Sequence, residues 1–387
     1  MLLAFSRASL VVLTLFGGWY LHAFSKTITK LTAQSLLSSG IAYHNVYTGI
    51  TKIDSLLSIL LTFFWPVVDG EHPDLCLTSI LFAGQAVAAW TLTMLEGMRT
   101  GNSGRVVSLT TTYGLLIQSC GMAFASPAYL LLSLYTAGTV TTPTARDIAV
   151  PESALRALPY SIGLGFITPT IVMSLPSPGY LTQQQKMYAI LTWQAFPLWT
   201  QLIQWFLQNT IFRSDSTETS AKHQLKLLRR VYKFALYFSV QVHIATRFFS
   251  VATLYFPGLF TGYARATLSP QHIFLPPNPF NAAKNASIVA DSALWVLQWD
   301  FLISGVAYWV WGLSVKYSDA KTSRRCGMGD IFSDIFIRPN LMGFMACALS
   351  YVWERDEVAF KKANDAMKQN GATKENGAAK GGDMKTK

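Results

Sequence analysis

Long apolar stretches recur along this chain, and short polar segments separate them. The longer ones cover 2–24, 46–68, 76–98, 107–136, 188–212, 231–255 and 287–317, and two shorter ones cover 159–175 and 340–353. A helix needs about 20 mostly apolar residues to cross a bilayer. The pattern therefore predicts an all-α fold, a polytopic transmembrane helical bundle with about eight (seven to nine) spanning helices. The stretch 159–175 leaves three alternatives open, since it could cross, re-enter or lie at the interface.

The chain changes character near its C-terminus. Residues 1–353 carry the apolar stretches, whereas 354–387 are rich in Lys, Ala, Gly and Asn and have few apolar residues. We predict a transmembrane helical bundle for 1–353 and a disordered basic cytosolic tail for 354–387. The two most basic loops, 213–230 and 316–338, are expected on the cytosolic side, since positive loops stay there.

Composition agrees with a membrane protein. Hydrophobic residues make up 51% of the chain and charged residues 13%, against roughly 25% charged in a soluble domain. We expect an integral protein of the endoplasmic reticulum whose partner is the lipid bilayer. The net charge of +11 lies largely in loops and the tail, so no nucleic-acid partner is implied. The four cysteines show no CxxC spacing and predict no metal site.

Four carboxyl side chains lie within or at the rims of the predicted spans: Asp54, Glu96, Asp291 and Asp300. An apolar setting disfavours a charged carboxylate, so such a group can remain protonated and act as a Brønsted acid. These four are the candidate catalytic residues. Nine positions separate Asp291 from Asp300, which places them on opposite faces of one helix and predicts different roles. The alternative is that each acid only pairs with Arg or amide groups, which is the favoured interpretation for Glu96 beside Arg99.

Other side chains are candidates for substrate binding. They are His243, Arg247, Trp65, Trp295, Trp299, Gln194, Gln201 and Gln298. Aromatic faces stabilise cations, and amides, His or Arg can orient polar groups. The alternatives are that the tryptophans serve helix packing or the membrane interface, and that His243 and Arg247 pair with Asp291 or Asp300.

Motifs for other chemistries are missing from the sequence. No P-loop, GxSxG, HExxH or dinucleotide fingerprint is present. The repeated aspartates that bind magnesium and diphosphate are also missing, which argues against a metal-dependent prenyltransferase or an ionisation-type cyclase. We expect no cofactor and no metal.

Four stretches together resemble a family of fungal membrane proteins of secondary metabolism. They are GITKIDSLLSILLTFFWPVVDG (49–70), MLEGMRTGNSG (94–104), RALPYSIGLGFITPTIVMSLP (156–176) and LWVLQWDF (294–301). The family is the membrane-bound, non-canonical terpene cyclases of meroterpenoid and indole-diterpene biosynthesis, in the longer type of the ascofuranone and ascochlorin pathways. The resemblance covers most of 45–353.

The resemblance implies a specific reaction. Membrane-embedded acids, here Asp54, Glu96 and Asp300 by motif position, would protonate a terminal epoxide or alkene of a prenylated aromatic or indole substrate. The cation would then close a ring without a metal. An epoxidase and a prenyltransferase would be functional neighbours in the pathway. Two alternatives of other classes are a proton-coupled transporter of a hydrophobic metabolite and a non-catalytic membrane scaffold for a biosynthetic pathway.

Overall fold

The computed structural model describes residues 2–32, 46–213, 220–280, 289–318 and 327–382, and within these ranges all regular structure is helical. The first nine helices are α1 (Leu2–Thr32), α2 (Thr51–Val68), α3 (Pro73–Gly97), α4 (Thr110–Cys120), α5 (Met122–Thr136), α6 (Glu152–Ile162), α7 (Thr168–Ser174), α8 (Gln183–Trp193) and α9 (Phe196–Asn209). The others are α10 (Ala221–Tyr255), α11 (Gly262–Thr267), α12 (Pro270–Phe274), α13 (Val289–Lys316), α14 (Met328–Phe332), α15 (Arg338–Met342) and α16 (Phe344–Gly382). The all-α prediction is confirmed for the described residues.

Five helices are long and apolar enough to cross a membrane. They are Leu2–Ala23, Thr51–Val68, Pro73–Gly97, Glu152–Ser174 and Val289–Lys316. Their length and composition support a membrane protein, but they do not confirm a total of eight spans. The open stretch 159–175 belongs to Glu152–Ser174, in which a π-helical turn joins α6 to α7 without a break.

Several loops meet at one end of the bundle, which we call the basic end. It is defined by the loop 98–109, the loop 137–151 and the C-terminus of α13. The Thr100 amide donates to the Ala149 carbonyl, and the Arg105 side chain donates to the Thr136 carbonyl. Lys316, at the end of α13, pairs with Glu354 of α16 at 2.8 Å. The acidic link between α2 and α3, residues 69–72, lies at the other end of α3. The basic loops and the acidic link are therefore at opposite ends of the bundle.

The apolar stretch 107–136 forms a helical hairpin instead of the single span that its hydropathy predicts. Gly121, with φ +73°, separates α4 from α5. The two helices then run back along each other, because the rings of Tyr113 and Tyr129 stack 4.1 Å apart and the Tyr129 hydroxyl donates to the Val107 carbonyl. The cause of the difference is the glycine, which adopts a backbone conformation that other residues rarely take.

A second hairpin forms where the sequence predicts a short apolar segment, 340–353. The chain enters from the basic end through α14 and α15, turns at Gly343 (φ +85°) and returns as α16. A Cβ at Gly343 would lie 2.4 Å from the side chain of Gln85, in the middle of α3. The Gln85 amide donates to the Met342 carbonyl at 2.8 Å, so the tip of the hairpin is held inside the bundle.

Helix α16 continues past Trp353, the point at which the sequence predicts the bundle to end. Asp356 is fully buried, and Phe360 is 1% exposed. The helix is described as far as Gly382. Its first turns beyond 353 therefore belong to the packed bundle.

A buried group of four charges joins α3, the loop after it and α16. Arg99 donates to Glu96 and Asp356, each at 2.8 Å, and Arg355 donates to Glu96 at 2.9 Å. Burial by itself lowers the pKa of the Arg99 guanidinium, but Asp356 and Glu96 more than compensate and hold that pKa above the ordinary arginine value. Two cations and two anions neutralise one another, which makes their burial tolerable.

Replacement of Arg99 by Met is expected to destabilise the protein strongly. The change leaves Glu96 and Asp356 buried with one cation between them, and breaking such a buried pair costs about 3–5 kcal/mol. Thermal unfolding in detergent measures the effect. Arg105→Met is the matched control, since Arg105 is an exposed arginine of the same loop. An equal loss in both variants would contradict a central role for the buried charges.

Candidate active site

A cavity of about 970 Å³ opens among α1–α5, α7–α10 and α13. Its volume lies at the upper end of the range of small-molecule sites, about 300–1,000 Å³. The walls are overwhelmingly apolar. Aromatic side chains in the walls include Phe63, Phe64, Trp90, Phe166, Trp193 and Tyr308. The cavity is suited to a large hydrophobic molecule.

Asp300 is the only acid in the wall of this cavity among the described residues. Its side chain is 8% exposed. The Met122 amide donates to Asp300 Oδ2 at 3.1 Å, and the Ala123 amide donates to Oδ1. Both carboxyl oxygens therefore receive a neutral N–H donor, and no arginine or lysine pairs with Asp300 among the described residues.

The two amides are available because α5 begins inside the bundle. The first N–H groups of a helix lack intrahelical acceptors, and the helix dipole makes this end attractive to a negative charge. Gly121 creates the helix start at this place. A Cβ on Gly121 would lie 2.8 Å from Leu21 of α1 and 3.4 Å from Asp300 Oδ1, so only glycine fits here without displacement.

Asp54 lies in the first turn of α2 and is 5% exposed. It accepts hydrogen bonds from the Thr48 amide at 2.7 Å, the Thr48 hydroxyl at 2.8 Å and the Gly49 amide at 3.1 Å. This arrangement fixes the chain that enters α2. Asp54 does not line the cavity, although Leu56 of the next turn does.

Glu96 and Asp291 also lie outside the cavity wall. Glu96 is 3% exposed and belongs to the buried charge group, where it also accepts a hydrogen bond from Thr139 at 2.7 Å. Asp291 is half-buried in the first turn of α13. The structure thus brings one of the four candidate acids to the cavity and separates the other three from it.

His243 and Arg247 reach a backbone carbonyl at the second hairpin. His243 Nε2 lies 3.1 Å from the Asn340 oxygen, and Arg247 Nη1 donates to the same oxygen at 2.7 Å. The sequence predicted that these residues bind substrate, with pairing to Asp291 or Asp300 as the alternative. Neither residue lines the cavity, where their neighbour Val242 does.

The other candidate binding residues occupy three places. Trp299 donates to the Pro277 carbonyl at 3.0 Å and Gln298 to the His272 carbonyl at 2.6 Å, so both hold the loop that precedes α13. Trp295 and Gln298 border a smaller cavity of about 340 Å³. Trp65 is buried in α2 and lies outside the large cavity.

The glutamines of the α8–α9 region serve helix packing. Gln194 is buried, and its amide donates to the Ile190 carbonyl at 3.2 Å. Gln201 is half-buried. Neither lines the large cavity, although Trp193 beside Gln194 does.

One group of side chains in the described residues has the spacing of metal ligands. Asp69, Glu71 and His72 bring ligand atoms within 4.8 Å of one another in the link between α2 and α3. These side chains are exposed or half-buried, and none of them lines the cavity. They stand apart from Asp300.

Sequence reasoning missed several residues of the cavity wall. Trp90 and His22 lie in the wall, as does Cys120 at the end of α4. Sequence reasoning also missed Gly121, which sets the start of α5 and so places the Met122 and Ala123 amides at Asp300. The sequence contained one usable signal, a glycine in the centre of a 30-residue apolar stretch that is too long for one crossing.

Comparison with known proteins gives one family. The CtvD domain matches residues 1–360. The chain is 34% identical over 358 residues to a protein named terpene cyclase ascI from Acremonium egyptiacum, with 89% of this chain and 90% of the relative covered.

Two further relatives carry the same type of name. Terpene cyclase janA of Penicillium janthinellum is 30% identical, covering 89% of this chain and 92% of the relative. Terpene cyclase ctvD of Aspergillus terreus is 28% identical, covering 69% and 73%. No solved structure matches the chain.

Replacement of Gly121 by Ala is expected to cost about 1–3 kcal/mol, because a Cβ strains the backbone at this φ and displaces the amides from Asp300. In an Asp300→Ala background the same change should cost less, since the contact is already lost. Thermal unfolding of the four proteins in detergent measures this coupling. Gly104→Ala is the control, because Gly104 also has positive φ but has open space around it. Additive losses at Gly121 would contradict the linkage.

Proposed function

This chain belongs to the CtvD-domain family, and from that premise we propose that it is a membrane-embedded terpene cyclase. The substrate is a prenylated aromatic or indole compound with a terminal epoxide or alkene. Asp300 protonates that group, and the cation that results closes a ring inside the cavity. The product is an isomer of the substrate, and no metal or cofactor takes part.

One observation carries the proposal: in the part of the chain that the structure describes, a single acid borders a large apolar cavity. The cavity of about 970 Å³ accommodates a hydrophobic guest, and Asp300 lies in its wall. A general acid must come within hydrogen-bond reach of the atom that it protonates. Among the four candidate acids, Asp300 alone lies in the wall of the cavity that would hold this atom.

The amides of Met122 and Ala123 suit Asp300 to the role of proton donor. Proton transfer leaves a carboxylate, and the two N–H groups are already aimed at its oxygens. Donors that are in place before the reaction stabilise developing charge without reorganisation. The positive end of the α5 dipole adds to this effect.

The walls of the cavity support cation chemistry. Trp90, Trp193 and Phe166 present aromatic rings to the cavity, and aromatic faces attract cations by about 2 kcal/mol or more when water is excluded. An apolar chamber also keeps away the water that would quench a carbocation. These two properties favour ring closure over hydrolysis of the epoxide.

We assign structural roles to the other acids. Asp54 holds the entry of α2, and Glu96 neutralises Arg99 and Arg355. The predicted glutamines and tryptophans outside the cavity contribute to helix packing, as do His243 and Arg247. Asp291 lies outside the cavity wall, which leaves Asp300 as the proton donor.

The proposed reaction also indicates which classes of enzyme supply the substrate and which membrane holds the protein. A prenyltransferase must attach the chain before cyclisation, and for the epoxide substrate an epoxidase must also oxidise the end of that chain. Their product is hydrophobic and dissolves in membranes. We propose the endoplasmic reticulum membrane as the location of the protein.

Replacement of Asp300 by Asn is expected to reduce turnover by about 10² or more, the usual contribution of a general acid. Microsomes that contain the full chain are supplied with a phenol carrying an epoxyfarnesyl chain. Mass spectrometry and NMR then detect a cyclised isomer of unchanged mass. Asp300→Asn preserves the size of the side chain but replaces one acceptor oxygen by an NH2 group that faces a backbone N–H. The melting temperature should therefore fall, and turnover is compared per folded protein.

Asp291→Asn is the matched control, since it removes an acid from the same helix outside the cavity wall. Glu96→Gln should lower the melting temperature more than the turnover of the folded fraction. Full turnover by Asp300→Asn would refute the assignment. Uptake of the substrate without conversion by the wild type would favour a carrier instead of a cyclase.

A further inference from the structure

The tip of the first hairpin forms one part of the cavity wall, and Gln118 lies in it. Residues 117–122 all line the cavity, as does Asp300. The Gly121 amide donates to the Ile117 carbonyl at 2.8 Å, so the path of α4 continues to the glycine. Side chains three positions apart on a helix are neighbours, with Cβ atoms about 5–6 Å apart. The Cβ position of Gly121 lies 3.4 Å from Asp300 Oδ1. A single guest can therefore contact both Gln118 and Asp300.

Gln118 differs from the serine and threonine side chains of the wall, because its polar group has no partner. Those hydroxyl groups each donate to a backbone carbonyl three or four residues earlier, at 2.7–2.8 Å: Ser79, Ser119, Thr170 and Ser174. In the part of the chain that the structure describes, the Gln118 amide makes no hydrogen bond. The wall thus presents one amide that is free to bind a guest.

The free amide has a cost that a suitable guest removes. Gln118 is half-buried in a cavity wall that is overwhelmingly apolar. A polar group in apolar surroundings is unfavourable unless it is hydrogen-bonded. The amide of glutamine offers two N–H donors and one acceptor oxygen. A guest with an oxygen atom at this level satisfies a donor, whereas a hydrocarbon end leaves the amide unsatisfied.

An epoxide oxygen suits the two side chains together. It has two lone pairs, so it can accept from the Asp300 carboxyl group with one and from a Gln118 N–H with the other. When Asp300 gives up its proton and a C–O bond breaks, the oxygen stays on the substrate as an alcohol and still accepts from the amide. A terminal alkene has no lone pair for Gln118.

We propose that Gln118 binds the oxygen atom of the terminal epoxide beside Asp300 and makes the enzyme selective for the epoxide over the corresponding alkene. The inference rests on the proposed cyclase function and chooses between the two substrate classes that it contains. The amide positions the oxygen and transfers no proton, so the proton still comes from Asp300 alone.

Replacement of Gln118 by Leu is expected to affect two ligands in opposite directions. The KM for the phenol with an epoxyfarnesyl chain should rise about tenfold, the effect of one lost hydrogen bond, with little change in kcat. The same phenol with a farnesyl chain serves as a competitive inhibitor without an epoxide. Its inhibition constant should fall severalfold, because its hydrocarbon end no longer faces an unsatisfied amide. Initial rates in microsomes measure both constants.

Thermal unfolding in detergent separates binding from a structural role. Since the Gln118 amide has no partner to lose, the melting temperature of Gln118→Leu should not fall. Gln118→Met keeps the length of the side chain without the amide and should give the same changes in KM and in the inhibition constant. Gln184→Leu is the control, because Gln184 is an exposed glutamine outside the cavity wall, and its constants should equal those of the wild type.

The outcomes for the two proposals differ. A wild type that converts nothing would count against the cyclase function itself. If the wild type cyclises the epoxide while Gln118→Leu and Gln118→Met keep both constants, the role of Gln118 is overturned and the cyclase function stands. A lower melting temperature in both variants would also overturn it, since the amide would then stabilise the fold.

Discussion

A charge inside hydrocarbon is tolerated only where a partner compensates it, and this constraint organises the bundle. Glu96 and Asp356 face Arg99 and Arg355 in one buried group with no net charge. The Arg99 side chain also donates to the Ile148 carbonyl, which ties the loop 137–151 to the same place. These contacts fix α3 and α16 at the basic end. The interior beyond them can then be almost wholly apolar, and the cavity opens there.

The same need for a partner applies to the backbone groups at the two hairpins. A helix that begins or ends inside a membrane leaves amide or carbonyl groups that lipid cannot satisfy. At the first hairpin the free amides of α5 meet Asp300. At the second, the Met342 carbonyl meets Gln85 and the Asn340 carbonyl meets Arg247. Polar side chains in the middle of the bundle are therefore explained by the backbone groups that they satisfy.

The sequence predicts the helical, membrane-embedded character of this chain, because apolar length is a local property that survives into the fold. It does not predict the first hairpin, since the hydropathy of 107–136 is the same whether the stretch crosses once or turns back at Gly121. It does predict the pairing of Glu96 with the neighbouring Arg99, which the structure shows. The second partner of Glu96 is Arg355, 259 residues away along the chain. Such a contact is a property of the tertiary structure alone.

The charge of the groups that donate hydrogen bonds to an acid distinguishes an acid that stabilises the fold from one that can gain and lose a proton. Glu96 lies between two guanidinium groups, so its protonation would leave buried cations short of a partner, at a cost of about 3–5 kcal/mol. Asp54 and Asp300 accept their hydrogen bonds from neutral groups, and a proton on either leaves no unpaired charge behind. Of these two, Asp300 alone borders a cavity. The proposed role of Asp300 as proton donor rests on these two features, its neutral hydrogen-bond donors and its place in the cavity wall.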